Sequence, residues 1–210
     1  MAQRNSEYLR KPLDLYETPE WVTEALLPHL SRGQLALWEP AAGRGKMAIV
    51  LNRKHACYSS DIQLADGFEA CAWGWRPGIT VPGVGQLIQH DFLVDEPYTE
   101  FDGIVTNPPF GREGPKFLRR ALDLTKERRG FVAMLFPMDF DAAPGRADLF
   151  RDHPAWHKKV VLTKRIVWFA REDGQKEAPS MHHAWYLFDH RHEGPATIAY
   201  EPSANVKETV

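Results

Sequence analysis

The sequence predicts an α/β fold in which helices cover both faces of a mostly parallel sheet. Short apolar runs alternate along the chain with stretches of helical periodicity, which is typical of parallel strands joined by helices. Several of the apolar runs end in a small-residue or acidic turn, where open α/β sheets bind ligands. With 210 residues, 43% of them hydrophobic, the chain is long enough for one domain with a sizeable core.

The first third of the chain is predicted to alternate helix, strand, turn, helix and strand. Thr18 has the side chain of a helix cap, Pro19 suits a first helical turn, and Glu20 adds a negative charge at the helix start. The elements are expected at residues 18–30, 35–38, 41–45, 46–53 and 55–60.

The middle of the chain is predicted to begin with an irregular insertion. Residues 65–84 hold many Gly, Pro and Trp residues with little periodicity, so we expect no regular element there. Two strands, a helix and another strand should follow, at residues 85–89, 101–106, 115–128 and 131–136.

The last part of the chain is predicted to be rich in β-structure, with strands at residues 160–169, 184–188 and 197–200. Two successive late strands predict an antiparallel hairpin at the edge of the sheet. We therefore expect one domain over residues 14–200, with an N-terminal arm at 1–13, a substrate-contacting segment at about 139–192 and a polar tail at 201–210.

The composition excludes several classes of protein. No apolar run approaches the roughly 20 residues that span a bilayer, and the N-terminus lacks the apolar core of a secretory signal. Cys57 and Cys71 offer neither the spacing of a metal site nor a disulfide framework. We expect a cytoplasmic protein with no membrane partner and no metal, and the oligomeric state is left open.

The net charge of −2 is unevenly distributed along the chain. Residues 111–192 carry 16 Lys and Arg against 11 Asp and Glu, a net charge of +5, whereas the rest carries 10 against 17, a net charge of −7. A positive half is what binding to nucleic acid needs. Charges scattered over solvated helix faces would give the same count, and the sequence leaves both interpretations open.

The first predicted strand is followed by the small-residue turn Glu39-Pro40-Ala41-Ala42-Gly43-Arg44-Gly45. Small residues let the backbone turn tightly and let a ligand approach closely, and the next helix would offer free N–H groups to an anion. A strand-to-helix turn without a ligand can have the same pattern. The turn is not a phosphate-binding P-loop, because no Gly-Lys-Ser/Thr follows at the required spacing.

Acidic residues follow the next two predicted strands. Asp61 closes the second strand, where nucleotide-binding α/β folds use a carboxylate to bind ribose hydroxyls. Asp91 follows the third strand, where it could accept a hydrogen bond from an adenine amine while Phe92 packs on the ring. Each acid alone could be a solvated loop residue, but successive strand-end positions favour a shared site.

The most informative motif is Asn107-Pro108-Pro109-Phe110, directly after the fourth predicted strand. The two prolines end the strand and fix a rigid turn, and Asn107 offers a carbonyl acceptor. The backbone carbonyls of Asn107 and Pro108 are also available, because proline has no N–H to bond within the turn. Such acceptors suit transfer to an exocyclic amine, whose protons they would bind, while Phe110 holds a base by stacking.

These motifs resemble those of a known enzyme family. Asn-Pro-Pro-Phe resembles the catalytic Asn/Asp/Ser-Pro-Pro-Tyr/Phe motif of S-adenosylmethionine-dependent amino-methyltransferases. Residues 39–45 resemble their glycine motif, and Tyr16-Glu17-Thr18-Pro19 resembles their N-terminal cofactor motif. The motif order is similar to that of adenine-specific DNA methyltransferases. The resemblance covers about residues 14–137 and implies a Rossmann-like class I methyltransferase fold with a seven-stranded sheet.

The resemblance also implies S-adenosyl-L-methionine as cofactor, with direct in-line methyl transfer to the exocyclic amine of adenine in DNA. Asn107 and Pro108 would position the target amine, and Phe110 would stack on the flipped base. The N-terminal motif would contact the methionine end, the glycine motif the methionine and ribose region, Asp61 the ribose hydroxyls, and Asp91 the adenine. The catalytic set would be Asn107, Pro108, Pro109 and Phe110. The cofactor set would be Tyr16, Thr18, Pro19, Glu39, Pro40, Ala41, Ala42, Gly43, Gly45, Asp61, Ile62, Asp91, Phe92 and Asn107.

The C-terminal part interleaves basic and aromatic residues in a way that predicts contacts with nucleic acid. The candidates are Lys164, Arg165, Trp168, His182 and His183. Two edge strands with a half-buried aromatic face would give the same pattern. Only 73 residues follow Pro137, too few for a large target-recognition domain, so single-stranded DNA or RNA stays open as substrate.

Two alternatives remain at the level of sequence. The same chemistry could act on an RNA base or on a protein glutamine amide, because Asn-Pro-Pro motifs occur in those families too. A catalytically silent nucleic-acid-binding module could also keep the fold, although the intact Asn107, Gly43 and Asp61 argue against it.

Overall fold

The computed structural model describes residues 16–30, 33–64, 78–168 and 181–202, and in these the strands form a single nine-stranded sheet. The strands are β1 (Ala36–Glu39), β2 (Ala56–Asp61), β3 (Gly78–Val81), β4 (Gly85–Gln89), β5 (Gly103–Thr106), β6 (Phe131–Pro137), β7 (Trp156–Val161), β8 (His183–Asp189) and β9 (Thr197–Tyr200). Their order across the sheet is β3-β4-β2-β1-β5-β6-β8-β7-β9.

The sheet is mostly parallel, as the sequence predicts. Strands β4, β2, β1, β5 and β6 run in one direction, and β8 lies antiparallel between β6 and β7. The predicted hairpin of two late strands is therefore confirmed. Strand β9 pairs in parallel outside β7, and β3 pairs antiparallel outside β4, so one strand is added at each edge of the expected seven.

Helices cover both faces of this sheet. The described ranges contain four α-helices: α1 (Glu20–Glu24), α2 (Lys46–Leu51), α3 (Glu113–Lys126) and α4 (Ala147–Phe150). Apolar residues of α1 and α2 share one buried cluster, and those of α3 and α4 share another on the opposite face. The chain is thus a three-layer α/β domain with a core on each side of the sheet.

The first helix is shorter than predicted. Helix α1 ends at Glu24, and a 3₁₀ turn at Leu27–His29 follows it, because Pro28 has no N–H to continue an α-helix. Thr18 was expected to cap this helix, but the N-cap position is Pro19, and no side chain bonds the helix start. The Thr18 hydroxyl is used elsewhere, in the site described below.

Two further boundaries differ from the sequence prediction. Residues 78–84 belong to a β-hairpin instead of the expected irregular insertion, because Gly83 and Gly85 have positive φ angles that close the turn between β3 and β4. The strand expected at 160–169 lies earlier, at β7. After it, Leu162 and Ile166 turn into the core instead of alternating as strand residues.

Some of the predictions lie outside the described residues. These are the arm at 1–13, the insertion at 65–77 and the tail beyond residue 202. Within the described ranges, every helix is too short or too polar to cross a membrane.

Strand β5 approaches β6 closely at Gly103. Gly103 is paired with Phe131, and a Cβ at Gly103 would lie 2.3 Å from Cε1 of the Phe131 ring. Only glycine leaves room for that ring against the centre of the sheet, because well-packed interiors do not accept an added methyl group without movement.

We therefore expect Gly103→Ala to lower the free energy of unfolding by about 1–3 kcal/mol, the usual cost of overpacking. Gly145→Ala is the matched control, because a Cβ there meets nothing within 4 Å and its φ is not positive. Urea denaturation of both variants measures the difference, and equal stabilities would contradict the proposed close packing.

Candidate active site

The predicted functional residues gather at one edge of the sheet. Because β2, β1 and β5 are parallel neighbours, their carboxyl ends lie side by side at Asp61, Glu39 and Thr106. The strand order reverses between β1 and β5, and such switch points are where open α/β sheets bind ligands.

Hydrogen bonds join the strand ends along this edge. The Ala42 N–H donates to the Ser60 carbonyl at 2.9 Å, and the Gly43 N–H donates to Asp61 Oδ2 at 2.7 Å. The His90 N–H donates to the Asp61 carbonyl at 2.8 Å. The turn after β1 is therefore fixed against the end of β2, and the end of β2 against that of β4.

Glycines make the turn after β1 possible. Gly43 and Gly45 have φ angles of 53° and 80°, in the left-handed region that disfavours other residues. At Gly45 a Cβ would lie 2.5 Å from Cγ2 of Val84, so the β3–β4 hairpin packs directly against the start of α2. The predicted need for small residues at this turn thus has two physical causes, backbone conformation and close packing.

Glu39 is the most deeply buried charge-bearing residue of the site. Its side chain is 2% exposed, and its Oε2 has no hydrogen-bond partner among the described residues. Burial, and secondarily the Asp61 carboxylate, raises the pKa of Glu39 well above its ordinary value. A buried acceptor without a partner points to a group that the polypeptide itself does not supply.

Asp61 is half-buried beside Glu39. Burial raises the pKa of Asp61, although backbone N–H donors from Gln63, Gly43 and Ile62 oppose that shift. The side chain of Ile62 is exposed at this edge. Two carboxyl groups so placed suit a ligand that carries hydroxyl or amino groups.

Two of the residues after β4 differ in burial: Asp91 is partly exposed and Phe92 is buried. Asp91 Oδ1 accepts a hydrogen bond from the Leu93 N–H at 3.0 Å, which closes a tight turn. The Phe92 ring is 2% exposed and packs against Trp38 and Phe117. Phe92 thus supports the core beneath this edge, and its predicted contact with an adenine ring stays a prediction.

Asn107 lies at the end of β5 with an asymmetric set of partners. Its Nδ2 donates to the Tyr16 carbonyl at 3.3 Å and to Thr18 Oγ1 at 3.2 Å. Its Oδ1 is shielded from solvent and has no partner among the described residues. Pro108 next to it is buried, so the start of the double-proline turn is held firmly.

Four aromatic rings surround this asparagine turn. The Phe110 centroid lies 4.9 Å from Tyr16, 5.8 Å from Trp168 and 6.2 Å from His183. Burial lowers the pKa of His183 to about 4, so its ring is neutral at physiological pH. We call Tyr16, Phe110, Trp168 and His183 the aromatic cluster. Two predicted nucleic-acid contacts, Trp168 and His183, therefore lie beside Phe110 and not on a separate exposed surface.

The N-terminal segment connects both halves of the site. Tyr16 and Thr18 of this segment bond Asn107, and the Tyr16 ring belongs to the aromatic cluster. Glu17 forms an ion pair of 3.0 Å with Lys46 at the start of α2. This pair could not be predicted from the sequence, because opposite charges 29 positions apart carry no sequence signal of contact. One short segment thus touches both the glycine turn and the asparagine turn.

Basic residues and an apolar groove adjoin the aromatic cluster. Arg165 Nε donates to His182 Nε2 at 3.0 Å, and Lys164 Nζ lies 5.9 Å from the Trp21 ring. A groove of about 520 Å³ continues from there, lined by Met138, Asp139, Val161, Leu162, Thr163, Met181 and His182. Apart from Met138, its lining residues belong to the predicted substrate-contacting segment. No cluster of metal-ligating residues occurs in the described part of the chain.

Comparison with solved structures identifies the architecture. A Listeria monocytogenes protein assigned to the class I S-adenosylmethionine-dependent methyltransferases aligns over 89% of this chain, with a TM-score of 0.60 and 12% identity. The EcoKI M protein of a type I restriction enzyme aligns over 90%, with a TM-score of 0.58 and 14% identity. The chain has the class I methyltransferase fold. This confirms the fold that the motif resemblance implies.

Other comparisons define how far the likeness extends. A methyltransferase subunit of a type I restriction-modification system from Streptococcus thermophilus aligns over 88% of the chain, with a TM-score of 0.56 and 13% identity. The chain spans 66% of the Listeria protein and about half of the two type I proteins, 49% and 47%. No protein-family model matches the sequence, and no curated protein sequence matches it.

The buried carboxyl of this methyltransferase fold gives a prediction about pH. Because the folded-state pKa of Glu39 is raised above the ordinary 4.5, the folded state holds the proton more tightly than the unfolded state. That stabilisation is complete below pH 4.5 and is lost as the pH rises through the folded-state pKa. Glu39→Gln removes the titrating group, so its Tm relative to wild type should increase between pH 5 and pH 8.

The control for this experiment is Glu127→Gln, which changes an exposed carboxylate at the end of α3. Its Tm should follow wild type across the same pH range. A constant offset between Glu39→Gln and wild type would refute the buried-carboxyl effect.

Proposed function

We propose that this protein is an S-adenosylmethionine-dependent methyltransferase that acts on the exocyclic amine of adenine in DNA. The observation that carries the proposal is the state of Asn107. Its carbonyl oxygen is shielded from solvent at the switch point of the sheet and has no partner among the described residues. The Phe110 ring, three positions along, packs on Tyr16, whose carbonyl bonds the Asn107 amide. An unsatisfied acceptor next to an aromatic ring is what binding of an aromatic amine requires.

The residues of the glycine turn fit the proposed cofactor. S-adenosylmethionine supplies an electrophilic methyl group on a sulfonium sulfur. Glu39 Oε2, which no described residue bonds, offers an acceptor for an amino or hydroxyl group, and Asp61 lies beside it. The left-handed Gly43 and Gly45 give the turn the shape that close approach of a ligand needs. The ion pair between Glu17 and Lys46 holds the N-terminal segment against this turn.

The catalytic contribution of Asn107 would be to bind the amine protons. A hydrogen bond from the amine to Asn107 Oδ1 strengthens as the nitrogen loses conjugation with its ring, so it lowers the barrier to attack on the methyl group. Pro109 has no N–H that could bond the Pro108 carbonyl within the turn. The Pro108 carbonyl would therefore accept the second amine proton. No residue needs to form a covalent bond with the substrate. Because Oδ1 is shielded from solvent, side chains near it must move when a base enters.

Several features support DNA as the substrate. The type I restriction-modification subunits that share the fold are methyltransferases of such systems, and the aromatic cluster could hold an extruded base. Lys164 and Arg165 are exposed near it and could contact phosphates. RNA is the second candidate, because a Pyrococcus horikoshii protein assigned to the RNA methyltransferases aligns over 84% of the chain, with a TM-score of 0.54 and 15% identity.

The decisive experiment is a transfer assay with tritiated S-adenosylmethionine on double-stranded DNA, single-stranded DNA, RNA and protein. Mass spectrometry of the digested product then identifies the methylated group. We expect N6-methyladenine from DNA. Label in RNA or in glutamine would assign the alternative acceptor. No transfer, together with no binding of S-adenosylmethionine in calorimetry, would refute the enzymatic proposal.

Asn107→Ala should reduce kcat by about 10²-fold or more, the scale expected for losing one group that stabilises the transition state. The Kd for S-adenosylmethionine should change little, which also serves as a check that the variant is folded. Steady-state kinetics and calorimetry measure the two quantities. Unchanged turnover would remove Asn107 from the mechanism.

Lys164→Glu combined with Arg165→Glu should weaken DNA binding. It should also reduce the slope of the logarithm of the binding constant against the logarithm of the salt concentration. The slope should become shallower by up to about 1.8 for two lost phosphate contacts on duplex DNA. Lys54→Glu with Lys126→Glu makes the same charge change at the amino-terminal ends of the parallel strands, away from the candidate site, and should keep the slope. Equal slopes for both double variants would exclude a phosphate-contacting role for Lys164 and Arg165.

A further inference from the structure

The two ends of the Asn107 amide have different environments. The NH₂ end donates to two acceptors, the Tyr16 carbonyl at 3.3 Å and Thr18 Oγ1 at 3.2 Å, whereas the oxygen end has no partner among the described residues. Both acceptors come from the N-terminal segment, about 90 positions away in the chain. The contact is therefore a product of the fold and not of the asparagine turn itself.

The Tyr16 carbonyl decides which end of the amide faces it. A backbone carbonyl can only accept hydrogen bonds, so a rotated amide would place two acceptors against each other and leave the NH₂ group unbonded. A buried polar contact without a hydrogen bond is costly enough to make one orientation of the amide dominate. The oxygen end of Asn107 is consequently kept on the side away from the N-terminal segment.

We propose that Thr18 and the Tyr16 carbonyl are positioning groups that hold Asn107 with its carbonyl oxygen ready to accept from the substrate amine. This inference rests on the proposed function. It assigns Thr18 a task different from the cofactor contact that the motif resemblance implies. Thr18 is suited to the task, because its side chain is 5% exposed and it forms no hydrogen bond with the start of α1.

The arrangement also explains why an amide suits this position better than a carboxylate in this chain. An aspartate at position 107 would have only acceptor oxygens when ionised, and one of them would face the Tyr16 carbonyl. Asn107→Asp should therefore lose turnover at neutral pH and regain part of it as the pH is lowered, since a protonated carboxyl can donate to that carbonyl. Wild type should show no such gain.

The direct test compares Thr18→Val with Thr18→Ser. Valine keeps the shape of threonine but cannot accept a hydrogen bond, whereas serine keeps the hydroxyl. At saturating S-adenosylmethionine, Thr18→Val should lower kcat about tenfold, and Thr18→Ser should stay within about twofold of wild type. If Thr18 acted mainly on the cofactor, the Kd for S-adenosylmethionine would rise instead while kcat at saturation stayed unchanged.

Thr125→Val is the matched control. Thr125 is fully buried near the end of α3, far from the asparagine turn, and its hydroxyl donates to the Ala121 carbonyl at 2.7 Å. The same chemical change there should leave kcat unchanged. An equal loss in Thr125→Val and Thr18→Val, or an equal loss in the serine and valine variants at position 18, would overturn the inference.

A second measurement separates failure of this inference from failure of the proposed function. NMR of ¹⁵N-labelled protein, with the Asn107 side-chain signal assigned through Asn107→Ala, reports the hydrogen bonding of its NH₂ group without any substrate. The signal should shift, and its exchange with water should quicken, in Thr18→Val but not in Thr18→Ser or Thr125→Val. An Asn107 signal that is the same in all three variants overturns the inference, whether or not the protein transfers methyl groups.

Discussion

Parallel pairing of the central strands is the constraint on which the site depends. Because β2, β1 and β5 run side by side in one direction, residues far apart in the chain end at a common edge: Asp61, Glu39 and Asn107. The reversal of strand order between β1 and β5 opens a crevice there, since successive connections leave in opposite directions. The chemistry of this protein is therefore built on loops that a rigid sheet holds in place.

Polar groups at this edge are buried in a way that lowers the stability of the fold. Glu39 has a buried oxygen without a partner in the described ranges, and burial together with the Asp61 carboxylate disfavours ionisation of Glu39. A short distance along the same edge, no described residue bonds the carbonyl oxygen of Asn107. Unsatisfied groups of this kind are tolerated where a ligand will complete their hydrogen bonds, and their presence on both sides of the crevice fits a site with two ligands.

The N-terminal segment gives the two halves of the crevice a common support. It carries the ion pair from Glu17 to Lys46, the acceptors for Asn107 Nδ2, and the Tyr16 ring against Phe110. Any displacement of this segment would change its contacts with both the glycine turn and the asparagine turn. The aromatic cluster lies on the same side, so entry of the proposed base and the orientation of Asn107 would involve the same neighbouring residues.

The fold class, the order of most strands and helices, and the residues at the strand ends could be predicted from the sequence, because hydrophobic periodicity and Pro/Gly turns act locally. The predicted α1 was too long and the predicted β7 too late in the chain, because Pro28 and the core-facing Leu162 overrode the local pattern. The long-range contacts of the site could not be predicted: Thr18 bonds Asn107 instead of capping a helix, and Trp168 and His183 lie beside Phe110. These contacts join distant segments, and no local propensity encodes which segments meet.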